Sequence, residues 1–312
     1  MKMNSPKQRG FTLVEILIVM VIFSIVVAAI YSLYLVHLKT AMKQDEVVEV
    51  QQNLRIAMDS ISRDLKMAGV LVPLGTTPLS IGAPTGCGAN TLQINTMSPD
   101  GNMARVTSGP FISPSTATFA IPVDVADSAY GFKEDNEVRI VRPFDNSQPL
   151  TTAGSCLAIN AQPTGASLTL KIESGANFDG VTQINTGDVI IKAAPLVAPA
   201  TTLPANDTIV YTLVTGAANN CPVGYCLARQ VNPTNPLPAP TAAEIVASNL
   251  TTPLTFGYIY DDDTEDNNPI AVSVGKIKAV RVTINGATTK VNQPISTRRV
   301  TSVIMLRNRR AY

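Results

Sequence analysis

Few side chains in this chain could take part in chemistry. The 312-residue sequence contains one histidine, His37, and no tryptophan. Catalytic triads and multi-histidine metal sites therefore have at most one histidine to draw on. The 24 basic and 23 acidic side chains give a net charge of +1, which indicates no nucleic-acid partner. We accordingly expect a protein that is not an enzyme and that needs no cofactor or metal.

Glu15 is the acid with the most unusual surroundings. It is the only side chain charged at neutral pH between Phe11 and Val36. A carboxylate in a membrane helix costs on the order of a few kcal/mol at the centre and less near the surface, so it normally has a partner. Cleavage between Gly10 and Phe11 would create an α-amine four residues before Glu15. The same amine could neutralise Glu15 of a neighbouring chain, which would favour packing many copies in register.

The segment that carries Glu15 is long enough to cross a membrane. A helix from Phe11 to Val36 would be about 39 Å long, against a hydrocarbon core of roughly 30 Å. Lys2, Lys7 and Arg9 precede it without an acid. Such charges keep a leader in the cytoplasm, so the rest of the chain should face outward. An uncleaved anchor and a secretory signal peptide are the alternatives, and the apolar run is too long for the second.

The residues around Glu15 carry a family resemblance. The run Gly-Phe-Thr-Leu-Val-Glu at residues 10–15 follows a short basic leader and precedes an apolar stretch. It resembles the cleavage and methylation motif of type IV prepilins and type II secretion pseudopilins. The resemblance implies that a prepilin peptidase cuts after Gly10 and that the amine of Phe11 is then methylated. It also implies that Glu15 sets the register between subunits.

The helical pattern continues beyond the apolar run, because the chain has no Gly or Pro before Gly69. Apolar residues recur at steps of three and four, at Val47, Val50, Leu54, Met58, Ile61, Leu65 and Ala68. Ser60 and Asp64 are assigned to the other faces. Gly69 suits a C-terminal cap, and Pro73 blocks continuation. The sequence therefore predicts one helix over 11–68, with a break near 37–39 as the alternative.

Downstream of the helix the hydrophobic period changes to two. Residues 70–135 are rich in Pro, Gly, Ser and Thr and are predicted to be loops over one or two strands, with apolar clusters at 91–95 and 118–123. Later segments alternate as strands do, at Glu137–Arg142, Ser167–Glu173, Asp188–Ala193, Thr208–Thr215, Leu254–Tyr260, Lys276–Asn285 and Thr301–Arg307. A long helix followed by strands predicts an α+β, pilin-like fold, with a mostly antiparallel sheet packed on the apolar stripe.

These patterns divide the chain into four parts. We expect a cleaved cytoplasmic leader at 1–10, a transmembrane or filament-core helix at 11–38, an amphipathic helix half at 39–69 and a β-rich head at 70–312. The head should lie in the periplasm while the single helix crosses the inner membrane. After assembly the subunit should lie in a fibre at the cell surface.

The head has a narrower resemblance, to PilW-type minor pilins, with the J-type minor pseudopilins of type II secretion as the sister group. The segments that carry it are 56–69, 208–213, 226–229, 254–258 and 306–309. The resemblance implies a subunit that primes pilus assembly or sits at the fibre tip and so serves motility. Its partners would be other minor and major pilins, the prepilin peptidase and the inner-membrane assembly platform. A secretion pseudopilin and a DNA-binding or adhesive tip subunit, alone or with a tip adhesin, are the alternatives.

The cysteines number four: Cys87, Cys156, Cys221 and Cys226. In an oxidising compartment an even number favours disulfides. Cys221 and Cys226 enclose Pro-Val-Gly-Tyr between strand-like segments, a spacing compatible with a pinned tight loop. Cys87 and Cys156 would then pair by elimination, although four cysteines allow three pairings. A zinc site is disfavoured because the close pair has no second pair or histidine to complete it.

Two charged clusters are the remaining candidate binding residues. Asp261, Asp263, Glu265 and Asn267 could offer oxygens to Ca²⁺, but an EF-hand's glycine and terminal glutamate are absent, so we favour a solvated turn. The C-terminal arginines would suit DNA phosphates, and they are Arg298, Arg299, Arg307, Arg309 and Arg310. Because no aromatic residues interleave with them apart from Tyr312, we favour contacts with acids of neighbouring subunits or a charged edge strand.

Overall fold

A computed structural model describes most of the chain. The described residues are 11–73, 75–80, 90–97, 99–112, 118–124, 131–143, 157–163, 165–172, 183–194, 206–216, 221–232, 243–288 and 296–308. The chain divides into two units. Among the described residues, the first unit comprises those up to Glu49 and the second comprises those from Val50 onward.

The only α-helix among the described residues, α1, runs over Leu13–Met67 and contains 55 residues. It passes through 37–39 without a break, so the predicted single helix is confirmed and the two-helix alternative is wrong. In the first unit, the large apolar side chains from Phe11 to Leu38 are all exposed. An 18-residue window of the helix has a mean hydropathy of 3.1 and is 0% buried, so its length and composition suffice to cross a membrane.

The described residues form fifteen strands after α1. They are β1 Leu92–Thr96, β2 Met103–Arg105, β3 Phe111–Ile112, β4 Thr118–Pro122, β5 Glu137–Val141, β6 Leu157–Ile159, β7 Ser167–Ile172, β8 Gln183–Ile184, β9 Val189–Lys192, β10 Asp207–Gly216, β11 Cys221–Val231, β12 Glu244–Tyr260, β13 Glu265–Asp266, β14 Ile277–Ala287 and β15 Thr297–Met305. A short 3₁₀ helix, Ala271–Lys276, precedes β14. Each pairing between strands is antiparallel.

The larger sheet has seven strands in the order β1-β10-β11-β12-β14-β15, with β13 beside β12. The C-terminal part of α1 contributes the buried apolar stripe predicted from the sequence. Leu54, Ile61, Leu65 and Ala68 are each 0% exposed, and they share one core with Tyr211, Phe256, Val282 and other residues of the sheet. The helix packs here because one face repeats apolar residues at helical spacing and the sheet offers an apolar face to cover it. The α+β prediction is confirmed.

A second sheet has six strands in the order β2-β9-β5-β6-β7-β4, and β3 and β8 form a separate pair. The six-stranded sheet packs on its own apolar core, which includes Ile121, Phe132 and Leu170.

A buried ion pair connects the two larger sheets, since Arg139 on β5 donates to Asp207 on β10 at 2.9 and 3.0 Å. Asp207 also accepts hydrogen bonds from Asn232 at 2.7 Å and from the Ala194 N–H at 3.0 Å. These four bonds satisfy a carboxylate that is 0% exposed.

The prediction for residues 70–135 is wrong in part. The apolar clusters at 91–95 and 118–123 do form strands, β1 and β4, but β2 and β3 also lie in this segment. These two strands contain three and two residues. A hydrophobic period of two cannot be recognised over so few residues, which explains why the sequence pattern missed them. The seven later segments all coincide with strands.

The helix ends where the sequence predicts. Gly69 has φ +75, and its N–H donates to the Asn95 carbonyl oxygen at 2.8 Å. The side chain of Asn308, just after β15, donates to the carbonyl oxygens of Lys66 at 3.1 Å and Ala68 at 3.4 Å. Asn308 therefore caps the C-terminal end of α1 and satisfies the carbonyl groups of Lys66 and Ala68.

Gly69→Ala should lower the free energy of unfolding by about 2–3 kcal/mol. A Cβ atom at position 69 would lie 2.7 Å from the backbone oxygen of Asn308, and the positive φ adds strain. Gly75→Ala is the matched control, because Gly75 has φ +87 and a Cβ atom there would meet no described atom within 4 Å beyond its chain neighbours. Denaturant unfolding should show a loss of only about 1 kcal/mol for the control. Equal losses for the two variants would contradict the steric argument.

Candidate functional site

The first site lies at the start of α1. The N–H of Glu15 donates to the Thr12 hydroxyl oxygen at 3.3 Å. Thr12 is therefore the N-cap residue, and a glutamate three residues later completes the sequence of a capping box. Phe11 precedes the helix and is 79% exposed. The helix thus begins at Leu13, two residues after the Phe11 whose N-terminal peptide bond is the predicted cleavage bond.

Glu15 lies in the exposed first turn of α1. A carboxylate in this position interacts favourably with the unsatisfied N–H groups and the positive end of the helix dipole. After Glu15, the next basic side chain in the sequence, apart from His37, is Lys39. A free amine on Phe11 would supply a positive charge within about one helical turn of the carboxylate. Gly10 lies outside the described residues, so cleavage there and methylation of Phe11 stay predictions.

The second site is a buried polar network between α1 and the seven-stranded sheet. Arg229 Nε on β11 and Tyr211 Oη on β10 each donate to Asp64 Oδ2 at 2.7 Å. The Oγ atom of Ser60 lies 2.8 Å from Tyr211 Oη. The Asp64 and Arg229 side chains are 2% and 8% exposed. One carboxylate oxygen on the helix therefore binds two neighbouring strands at once.

The network corrects the assignment of Ser60 and Asp64 to the polar faces of the helix. Both residues face the sheet, although Ser60 is half-buried. The spacing itself contained the signal, because Ala57, Ile61, Asp64 and Ala68 follow one another at steps of four, three and four. Asp64 occupies a position of the apolar stripe, and it is buried there because Arg229 and Tyr211 donate hydrogen bonds to its carboxylate.

Residues 5–31 match the family model for the prokaryotic N-terminal methylation motif. The match supports a type IV pilin or pseudopilin subunit. It covers the predicted cleavage bond, Glu15 and most of the exposed apolar part of α1. The motif implies attachment to a membrane through this helix and interactions with a prepilin peptidase and with other pilins in general. No curated protein and no solved structure matches the chain.

In the head of this pilin-like protein, the segments of the narrower resemblance meet at the junction between α1 and the sheet. Asp64, Tyr211, Arg229 and Asn308 make described contacts there, and Tyr258 shares the apolar core with residues of α1. Tyr258 is 0% exposed, and its Oη donates to the Thr91 carbonyl oxygen at 3.0 Å. Arg309, the last residue of these segments, lies outside the described residues.

Cys221 and Cys226 form a disulfide. The predicted bond is present, but its setting differs from the expected tight loop between two strands. Both cysteines belong to β11, where Cys221 pairs with Gly216 and Cys226 with Val214, and the register shifts between these pairs. The disulfide therefore closes a bulge within one strand, and Gly224 with φ +66 allows the chain to turn there. Cys87 and Cys156 lie outside the described residues, so their pairing stays a prediction.

The acidic turn after β12 contains ion pairs with β14. Asp263 pairs with Lys278, and Glu265 pairs with Arg281 at 3.0 Å. Hydrogen bonds from Thr264 to the exposed Asp262 carboxylate lower the pKa of that group. Among the described residues, no group of three or more His, Cys, Asp or Glu side chains is arranged to hold a metal ion. Two of the four candidate calcium ligands are thus occupied by cations of the chain itself.

The described C-terminal arginines lie on or next to an edge strand. The strand order places β15 at the end of the seven-stranded sheet, as expected for a strand protected by charge. Arg298 and Arg299 are exposed on β15, and Arg307 is exposed just after it. Arg309, Arg310 and Tyr312 lie outside the described residues. The described arginines are therefore available for contacts with another macromolecule.

Tyr211 should make the folded state sensitive to alkali. Burial, and next the Asp64 carboxylate, raise the pKa of Tyr211 above its ordinary value of 10.0. The contribution of the neutral phenol to stability is therefore complete below the ordinary pKa and is lost as pH rises above it, since the unfolded chain ionises first. Urea unfolding between about pH 8 and about pH 11 should show a steeper loss for the natural protein than for Tyr211→Phe. Equal slopes would contradict this assignment.

Proposed function

We propose that this protein is a minor pilin of the PilW type, which primes assembly of a type IV pilus or lies at its tip. The observation that carries the proposal is the methylation motif placed at the start of a helix whose apolar side chains are exposed from Phe11 to Leu38. Exposed apolar surface of this extent needs lipid or other helices to cover it. A fibre of packed helices provides such a cover after the subunit leaves the membrane.

The proposed mechanism is transfer of the apolar helix from the inner membrane into the fibre. After cleavage at Gly10 and methylation of Phe11, the apolar surface stays buried throughout, because neighbouring helices replace lipid. Glu15 then becomes the group that must find a partner. Pairing with a neighbour's Phe11 amine satisfies it at one helix register only, which selects the correct packing from many similar apolar contacts.

The head supports a structural role in this proposal. Its buried ion pairs, Arg139 with Asp207 and Arg229 with Asp64, hold the strands and the helix together. The proposal is for a subunit of an assembly and not for an enzyme. Its proposed partners are other minor and major pilins and the inner-membrane assembly platform, with the head in the periplasm before assembly.

The natural polypeptide tests the first step of this proposal. We expect N-terminal sequencing and intact mass to show a chain that begins with methylated Phe11. A chain that still begins at Met1 in a host with an active prepilin peptidase would contradict the proposal.

A minor pseudopilin of type II secretion is the second candidate, because the same motif serves that class. Deletion of the gene separates the two: loss of twitching motility with normal export supports the pilus, and loss of exoprotein export with normal twitching supports secretion. Complementation with the natural chain, but not with a chain lacking residues 11–38, should restore the affected function.

A further inference from the structure

Tyr31 and Tyr34 are unlike the rest of the exposed apolar part of α1. They are the only side chains between Phe11 and Leu38 that combine an aromatic ring with a hydroxyl group. They lie three residues apart on the helix, and they are 62% and 59% exposed. Two such side chains on adjoining positions of the helix surface form one amphipathic aromatic patch.

Tyrosine in this setting favours the boundary between lipid and water. Its ring is apolar while its hydroxyl group seeks hydrogen bonds, and both needs are met at the level of the lipid headgroups. The residues that follow fit the aqueous side of such a boundary. His37 is followed by Lys39 and Lys43, which are the first lysines after the apolar run. The change from apolar to charged composition thus begins close to the aromatic patch.

The distance to the start of the helix matches a membrane. Phe11 and Tyr31 are separated by a stretch of helix that corresponds to about 30 Å, the thickness of a hydrocarbon core. Between them, the hydroxyl group of Ser24 donates to the Val21 carbonyl oxygen at 2.8 Å. This polar group is therefore satisfied within the helix and does not oppose burial in lipid.

We propose that Tyr31 and Tyr34 anchor α1 at the membrane–water interface on the side of the head and thereby fix the depth of the helix. With the aromatic patch at this interface, Glu15 lies within about 6 Å of the opposite end of the span. While the subunit is still in the membrane, the Glu15 carboxylate then remains close to water and needs no buried partner. The need for a counter-charge begins when the subunit is withdrawn into a fibre.

Depth-dependent fluorescence quenching tests the placement, and the natural chain contains no tryptophan to interfere. Tyr31→Trp, Tyr34→Trp and Val27→Trp would each be made in the full chain and placed in phosphatidylcholine vesicles with bromine at shallow or deep acyl positions. We expect shallow bromine to quench Trp emission most strongly for the two tyrosine positions. Position 27 lies about 6 Å deeper along the helix than position 31, so the Val27→Trp emission should respond most to deeper bromine.

The outcomes separate this inference from the membrane attachment on which it rests. Strongest quenching by deep bromine at positions 31 and 34 would overturn the proposal while leaving attachment intact. Absence of quenching at those two positions, with shallow quenching at Val27, would overturn it in the other direction. Absence of quenching in all three variants would contradict attachment itself.

A second measurement tests whether the tyrosines hold the helix or only lie at the interface. In the Val27→Trp chain, Tyr31→Leu with Tyr34→Leu should move or broaden the depth profile of quenching, because the span loses its fixed point. The matched control, Ile30→Leu with Leu33→Ile, changes neighbouring positions without changing polarity and should leave the profile as it was. An unchanged profile after loss of both tyrosines would overturn the anchoring role.

Discussion

Arg229→Met should lower the free energy of unfolding by about 3–5 kcal/mol, because it removes the buried charged partner of the Asp64 carboxylate. The other cation beside Asp64 is Arg63, which is 69% exposed and lies 3.5 Å from Asp64 Oδ1, so solvent weakens its interaction with the carboxylate. The carboxylate is 2% exposed and accepts hydrogen bonds from Arg229 and Tyr211 at 2.7 Å. Burial by itself lowers the pKa of Arg229, yet the neighbouring Asp64 carboxylate gives a net rise, so the guanidinium group is charged in the folded protein. Denaturant unfolding of the full chain in detergent micelles measures the loss.

An exposed ion pair on the same helix provides the control. Arg55 and Asp59 lie 3.9 Å apart, with side chains 85% and 76% exposed. Arg55→Met should therefore cost less than about 1 kcal/mol. The double variant Arg229→Met with Asp64→Leu should recover much of the loss, since it removes the uncompensated charge and Tyr211 keeps its contact with Ser60. Similar losses for Arg229→Met and Arg55→Met would contradict a stabilising role of the buried network.

Glu15→Val should leave the subunit in the membrane at its normal level and reduce its incorporation into fibres at least about tenfold. The change removes a charge from the apolar run, so retention in lipid is not weakened. It also removes the group proposed to select the helix register, and a loss of only ~1.4 kcal/mol in packing corresponds to a factor of ten. Immunoblots of membrane and sheared-fibre fractions measure both quantities.

Val14→Leu is the matched control for Glu15→Val, because it changes the adjoining exposed position without a change in charge. It should enter fibres normally. A Thr12→Ser variant should also enter fibres normally, since serine retains a hydroxyl group that can accept the hydrogen bond from the Glu15 N–H. Normal incorporation of Glu15→Val would contradict the registration role while leaving the membrane helix and its cleavage motif unaffected.

Local patterns are sufficient to predict the helix and many of the strands. An apolar stripe without Gly or Pro fixes α1, and Gly69 fixes its end, because both depend on residues close together in sequence. The same patterns do not predict β11, since Cys221, Pro222 and Gly224 interrupt its alternation and the disulfide-closed bulge shifts its register. The first half of β12, with Ser248, Asn249 and Pro253, is likewise obscured by residues that usually mark turns.

The motif at the start of α1 and the buried network around Asp64 differ in how far apart their residues lie in sequence. The residues from Gly10 to Glu15 are contiguous, so their chemistry could be inferred from order and spacing alone. The partners of Asp64 are 147 and 165 residues away in sequence. A single sequence contains no measure of which distant strand a buried charge will face, and so the network emerged only with the sheet order and register. The same limit applies to Arg139 and Asp207, which join the two sheets.

The contact between Asn308 and the end of α1 has a consequence for biogenesis. These groups are separated by 240 residues or more, yet Asn308 donates to the carbonyl oxygens of Lys66 and Ala68. Synthesis must therefore reach Asn308 before this cap on the C-terminal end of α1 can form. A chain truncated before β15 would still contain the apolar part of α1 that can insert into a membrane, but the C-terminal end of α1 would lack the hydrogen bonds from Asn308. We expect quality-control proteases to degrade such a chain.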